Sequence, residues 1–332
     1  MKKVLVTGGA GYIGSHTVRH LIAACYQVVV LDNLYSGHHW AVPKEVIFIE
    51  GDAGSETTVR AVFKQHDIHA IIHFAGHIVV PESVENPLKY YENNCSVTQT
   101  LAAMAVDCGI EHMIFSSSAA VYGQPDKVPV AETELTKPIS PYGRTKLISE
   151  WLLEDVSTAN ETFNYVALRY FNVAGAAIDG SAGQSTPAAT HLIKVICELI
   201  TGQRNQVSLF GTDYPTVDGT CVRDYIHVED LAAAHVSALR YLQSGGSSDV
   251  FNCGYGKGFS VQQVIDCLSD ISGEKLNIVE VERRAGDPAE LTANNDKILS
   301  MLDWRPQYDD ISLICRTALD WERSLLARKD SV

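Results

Sequence analysis

The sequence predicts an α/β protein built on a doubly wound parallel sheet, with a smaller C-terminal α/β lobe. Three observations carry this expectation. Short β-branched runs alternate with longer amphipathic stretches from residue 1 to about 172, and the first run passes directly into a cluster of glycines. Beyond Asn172 the strands shorten and turn formers accumulate.

In chain order, Lys3 to Thr7 reads as a strand, Ile13 to Ala24 as a helix and Val28 to Leu31 as a second strand, which together make a βαβ unit. Val46 to Ile49, Ala70 to Phe74, Met113 to Phe115 and Tyr165 to Leu168 continue the series. Each lies far enough from the last for a crossover helix, as parallel pairing requires. Gly175 to Thr186 is small and polar, and Gly211 to Cys221 is rich in turn formers. Asp224 to Val228 followed by Glu229 to Leu242 again reads as strand then helix. The expected division is therefore a first lobe over 1–172, rejoined by about 223–245, and a second lobe over 173–332. The stretch Leu313 to Leu326, with Trp321, reads as core or dimer packing, and Arg328 to Val332 read as frayed.

Composition narrows the function. The chain has 332 residues, of which 46% are apolar and 20% charged, enough to bury a sizeable core. Its net charge is -14, from 26 Lys plus Arg against 40 Asp plus Glu, which argues against a nucleic-acid partner held by phosphate neutralisation. Lys2 and Lys3 precede only a short apolar run, so neither a signal-peptide core nor a membrane span of about 18 apolar residues is expected. Cys25, Cys95, Cys108, Cys197, Cys221, Cys253, Cys267 and Cys315 form no C-x-x-C pair. Most sit in apolar runs such as Val195-Ile196-Cys197 and read as buried thiols of a reducing compartment, with the cytoplasm as the default.

Gly8, Gly9, Gly11 and Gly14 follow a strand and open a helix, the context in which a glycine turn approaches a pyrophosphate held at a helix N-terminus. Asp32, at the end of the second strand, can accept both hydroxyls of an adenosine ribose and would repel a 2′-phosphate. NAD is therefore favoured over NADP, with His38, His39 and Lys44 nearby as the counter-indication. Asp52, after the third strand, is placed to hold an adenine amino group. Phe74-Ala75-Gly76, after the fourth, offers small residues along the cofactor path. Read singly, each is better explained as just a strand end.

Tyr142 and Lys146 stand at i and i+4 on a helix that begins after Pro141. A phenol with an ordinary pKa of about 10 is a poor base at neutral pH, but a neighbouring ammonium together with a positive nicotinamide ring stabilises the phenolate. Tyr142 can then take a proton from an alcohol. Read alone, the pair is an ordinary exposed Tyr and Lys. Ser116-Ser117-Ser118, at the carboxyl edge of the sheet after Met113 to Phe115, supplies a hydroxyl to relay that proton through Ser118.

The combination TGGAGYIGSH, Asp32, SSSAAVYG and YGRTK resembles the extended short-chain dehydrogenase family. Pro81-Glu82-Ser83, Tyr90 to Asn94, Leu168 to Asn172, Phe210 to Tyr225 and Arg284-Ala285-Gly286-Asp287 extend the resemblance along the whole chain, to the branch that acts on UDP-hexoses. The resemblance implies a Rossmann-type NAD-binding lobe and a nucleotide-sugar lobe. It implies interconversion of UDP-galactose and UDP-glucose by transient oxidation at C4 with bound NAD, rotation of the 4-keto sugar and return of the hydride. Tyr142, Lys146 and Ser118 would be catalytic. Gly8, Gly11, Tyr12, Ile13, Gly14, Asp32, Asn33, Asp52, Ala53, Phe74, Ala75, Gly76, Asn93, Ser116 and Tyr170 would line the cofactor, joined by Tyr142 and Lys146. Ser118, Tyr142, Phe171, Asn172, Leu192, Phe210, Arg223, Tyr225, Arg284, Asp287 and Leu291 would receive the substrate. Within that set Arg223 and Arg284 would clamp the diphosphate and Asp287 the uridine ribose; a homodimer formed by helices of the cofactor lobe would be usual.

The sequence departs from the family pattern at three places. Ile78 stands where a lysine is common, so a cofactor contact is lost or passes to His77. Thr190-His191 replaces a frequent Asn-Asn pair, and Leu291 is intermediate in size where an N-acetyl group at C2 would be tested. A nucleotide-sugar 4,6-dehydratase would need an acid beside the serine segment, where Ala119 and Ala120 stand. A UDP-glucuronate epimerase would want additional cations, and a non-catalytic NAD-binding scaffold would not need the trio. No metal is expected, since His16 and His20 suggest no third ligand. Arg223 beside Asp224 reads equally as a surface ion pair.

Overall fold

In the computed structural model, which describes residues 2–284 and 286–329, the two lobes share one core. The strands are β1 (Lys3–Thr7), β2 (Gln27–Asp32), β3 (Ile47–Glu50), β4 (Ile68–His73), β5 (His112–Ser116), β6 (Asn164–Tyr170), β7 (Asn172–Ala174), β8 (Val207–Phe210), β9 (Val222–His227), β10 (Asp249–Cys253), β11 (Gly258–Ser260), β12 (Ile278–Val281) and β13 (Glu290–Leu291). Seven form a parallel sheet in the order β10-β6-β5-β4-β1-β2-β3. β1 lies inside the sheet, between β4 and β2, and its residues are apolar towards both faces. Val4 and Val6 enter one core cluster and Leu5 the other, all fully buried, as expected for a parallel sheet covered on both sides.

The helices cover the two faces. Tyr12–Ala23 and Val228–Gln243 pack on each other on one side. Glu56–His66, Val97–Cys108 and Pro141–Ala159 lie on the other, the first two packed together and the third against Val97–Cys108. Ser140, with Pro141 next, starts the last of these: its side chain accepts from the Gly143 N–H, and proline needs no hydrogen-bonding partner at that position.

The smaller lobe centres on β9, which pairs antiparallel with β11 and parallel with β7 and β13; β8 and β12 pair separately. β9 thus lies wholly in this lobe. The chain returns to the first lobe only through the helix Val228–Gln243 and β10, which adds a strand beside β6. Periodicity at 223–245 signals a strand and a helix but not which sheet edge the strand joins. The C-terminal helix Ile311–Lys329 is a core element, with Ile314, Cys315, Leu319 and Trp321 buried. Met1, Ala285 and 330–332 lie outside the described residues, so the expected fraying from Arg328 falls at and beyond their end.

Burial of the thiols is narrower than their apolar surroundings suggest. Cys197, Cys221, Cys253 and Cys315 are buried, whereas Cys25 is exposed and the other three are half-buried; all eight are unpaired. Cys25 follows the helix end at a positive φ of 65°, which turns it outward.

Three histidines are buried as neutral rings. His73 bonds Thr7 Oγ1 (2.7 Å) and Thr98 Oγ1 (3.2 Å), His227 bonds Thr317 Oγ1 (3.2 Å), and His235 bonds the Leu231 carbonyl (2.8 Å). Burial pulls their pKa values down to about 3, 4 and 4 respectively. The unfolded chain protonates near 6.5 and the folded one does not, so stability present above pH 6.5 is lost as pH falls toward 4. Each group contributes about 1.4 kcal/mol per pH unit in that window. Asp224, fully buried and pushed up to about 6, offsets one of the three. The urea midpoint should therefore fall between pH 7 and pH 5 by the equivalent of several kcal/mol; an unchanged midpoint would contradict this assignment.

Candidate active site

The carboxyl ends of the parallel strands open into one cleft of about 1070 Å³, at the upper end of the range of about 300–1,000 Å³ for a single small-molecule site. Every residue assigned above to catalysis, the cofactor or the substrate lines it except Lys146, which is buried. The helix Tyr12–Ala23 points its N-terminus into the cleft with Gly11 as N-cap and no side-chain cap, leaving its first N–H groups for an anion. Gly8 has φ +71°, and a Cβ on Gly14 would lie 2.2 Å from the Gly8 carbonyl, so both positions require glycine. The tight turn they make presents the uncapped helix N-terminus to the cleft, where a pyrophosphate fits.

Asp32 sits where β2 ends, beside this turn. Its oxygens accept from the N–H groups of Ala10 (2.9 Å) and Leu34 (2.8 Å), which orient the carboxylate toward the cleft edge. Asn33 and Asp52 cap their own turns, accepting from the N–H of Tyr35 (3.0 Å) and Gly54 (2.8 Å). His38, stacked on Trp40 and bonded to the Ser185 carbonyl, and His39, packed on Phe48, are engaged elsewhere. Tyr12 reaches the other way, its hydroxyl donating to the Gly175 carbonyl (2.6 Å) and tying the first helix to the smaller lobe.

At the middle of the cleft the Tyr142 hydroxyl stands close to Ser118. Lys146 donates to the Ser116 carbonyl (2.8 Å), and its Nζ lies 5.9 Å from the centre of the Tyr142 ring. The Ser116 hydroxyl meets that of Tyr170 (2.8 Å). Burial raises the Tyr142 pKa, with the nearby Ser118 hydroxyl opposing it, and burial pulls Lys146 down to about 8. A buried cation at this distance does not by itself outweigh desolvation of the phenolate; the positive nicotinamide ring of a bound NAD would favour the phenolate further.

Behind this trio lies a network that sequence reasoning missed. Glu150, one turn after Lys146, accepts from Ser117 and forms a bidentate pair with Arg169 of β6 (Nη2–Oε2 2.6 Å, Nε–Oε1 3.0 Å). Arg169 also donates to Tyr122 (3.0 Å), whose hydroxyl donates to Asn252 (2.7 Å). This locks the serine turn to the helix carrying Tyr142. The available signal was a charge inside the otherwise apolar run YVALRYF.

At the far end stand Asn172, Leu192, Phe210, Tyr225 and Phe171, with Leu291 packed in the cluster of Tyr122, Val130 and Phe171. Arg284 lies over the Phe210 ring, with its guanidinium carbon 3.8 Å from the ring centre, and Arg223 pairs with Asp287 (3.1 Å). Two guanidinium groups thus face one apolar wall, an arrangement suited to a diphosphate next to a base. Asp224 takes no part in a surface pair: it is buried and accepts the N–H groups of Tyr255, Gly256 and Ala293. His191 bonds Gln184 (2.8 Å) where the family pattern has asparagine. His16 and His20 do meet an acid, Glu229, which bonds both rings, but no metal-holding cluster of three is present among the described residues.

Residues 4–254 match the model of the NAD dependent epimerase/dehydratase family. The chain is 50% identical to a UDP-glucose 4-epimerase of Azospirillum brasilense over 97% of its length and 92% of that protein's. Its structure matches that of the UDP-glucose 4-epimerase from Brucella ovis in complex with NAD at a TM-score of 0.94 and 42% identity, covering 96% and 98% of the two chains. The Bifidobacterium longum UDP-glucose 4-epimerase in complex with NAD+ and UDP matches at 0.92 and 35%, covering 97% and 98%.

Proposed function

The chain belongs to the NAD dependent epimerase/dehydratase family, and from that premise we propose that it interconverts UDP-galactose and UDP-glucose with NAD as its resident cofactor. The observation that carries the reading is position: Tyr142 and Ser118 line the same cleft as the glycine turn on one side and Arg223, Arg284 and Phe210 on the other.

NAD, when bound, supplies a reversible acceptor for the hydride on C4 of the hexose. Tyr142 Oη takes the proton from O4, with Ser118 Oγ as the relay between them. Lys146 holds the Ser116 carbonyl and tunes the phenol. Asp32 takes the adenosine ribose. Arg223 and Arg284 grip the diphosphate while the 4-keto sugar turns to present its other face, and Tyr142 returns the proton to the new epimer. Ala119 and Ala120 line the cleft beside Ser118, where an acid would be needed to expel a C6 hydroxyl.

Purified protein given UDP-galactose without added NAD is expected to produce UDP-glucose; no conversion with or without NAD overturns the reading. The eight unpaired thiols fit a reducing compartment, and we place the reaction in the cytoplasm. Among the described residues no helix is long and apolar enough to cross a membrane. A homodimer through the helices of the cofactor lobe accounts for Trp151 on Pro141–Ala159, which is 54% exposed. Light scattering at the mass of two chains is the expected result, and a single-chain mass removes the dimer.

A further inference from the structure

We propose that Tyr35 and His77 form a strap across the dinucleotide groove that slows release of NAD, an inference that rests on the cofactor assignment above. β1 lies between β2 and β4, so the loops leaving β2 and β4 flank the glycine turn that leaves β1. A dinucleotide held by Asp32 at the end of β2 and reacting beside Tyr142 beyond β4 must cross the end of β1. The two flanking loops meet over that crossing: the Tyr35 and His77 ring centres are 4.7 Å apart at 64°, and both rings line the cleft.

The two sides differ in how firmly they are held. The His77 N–H donates to Asn94 Oδ1 (2.8 Å) and its carbonyl accepts from Asn94 Nδ2 (3.1 Å). Asn94 also donates to Thr145 (3.0 Å), the neighbour of Lys146, so this loop is fastened to the catalytic helix. Burial and Lys89 lower the His77 pKa, which leaves the ring neutral; it contributes a surface and no charge, and Ile78 next to it contributes none either.

Tyr35 is the movable side, 62% exposed. Its loop is tied at both ends, by Leu34 N–H to Asp32 (2.8 Å) and by His38 N–H to the Ala10 carbonyl (3.0 Å). Leu34, at the first of these ties, has a φ of 58°, a strained conformation for leucine. The Tyr35 hydroxyl accepts from Lys89 (2.9 Å), which is itself paired with Glu82. That bond latches the flap to the helical segment 80–90 on the far side of the groove.

The test is exchange of bound NAD. Holoenzyme loaded with radiolabelled NAD is mixed with excess unlabelled NAD, and the label left on the protein is counted over time. Tyr35→Ala is expected to raise the exchange rate about tenfold, since it removes the ring contact and the latch together. Tyr35→Phe keeps the ring on His77 and is expected to stay within about threefold of wild type, the scale of one exposed polar contact. Exchange by Tyr35→Ala at the wild-type rate overturns the strap, as does a wild-type chain that retains no label. Because label is counted without any sugar turnover, a protein that exchanges as expected yet leaves UDP-galactose unchanged keeps the strap and loses the epimerase reading.

Discussion

Tyr142→Phe is expected to turn over UDP-galactose at least about a hundredfold more slowly than the wild-type enzyme while folding normally and keeping its NAD, the effect of removing a positioned acid–base group. The side chain is 6% exposed and its ring packs in place with or without the hydroxyl, so the substitution takes away one oxygen. Two measurements separate chemistry from folding: the rate of UDP-glucose formation, and the NAD released from denatured protein. A near-normal rate would remove Tyr142 from proton transfer. A slow rate accompanied by loss of NAD would mean that the residue holds the cofactor.

Glu150→Ala should lower the unfolding free energy by about 3–5 kcal/mol, since it leaves the Arg169 guanidinium buried without its counter-ion. The change also frees Ser117 and loosens Arg169 from Tyr122 and Asn252, so the serine turn loses its brace. Turnover is expected to fall with stability, although Glu150 touches neither end of the cleft. The double change Glu150→Leu with Arg169→Met should recover much of the stability, because no unpaired charge remains, while leaving the serine turn unbraced. Urea unfolding of the three proteins checks this. A loss below about 1 kcal/mol for Glu150→Ala would show that the pair is solvated in solution.

Much of the site was legible in the residues because its parts are local. A strand that ends in glycines, an acid at the end of the next strand, and a tyrosine one helical turn from a lysine each encode their geometry within a few residues, through backbone sterics and the helix repeat. Those pieces stand where the spacing predicts: the helix begins at Pro141, and the glycine turn caps Tyr12–Ala23. The partners that complete them come from elsewhere in the chain. Glu150 and Arg169 meet across the sheet, Glu229 meets His16 and His20 from the helix after β9, and Asp224 is taken from its neighbour Arg223 by three distant N–H groups.

The assignment of β9 follows the same division. Its sequence specifies a strand, but hydrogen bonding along the edges of β9 decides that it joins β7, β11 and β13 and that β10 extends the large sheet. The meeting of Tyr35 and His77 likewise depends on β1 lying between β2 and β4. By itself the sequence determined the parallel α/β architecture, the glycine turn with Asp32 at the end of the next strand, and the placing of Tyr142 one helical turn before Lys146, all set by short-range geometry and residue type. Only the tertiary structure decided which buried charges are paired, which lobe owns each late strand, and which loops close over the groove. Those outcomes depend on contacts between residues far apart in the chain, and local periodicity does not encode them.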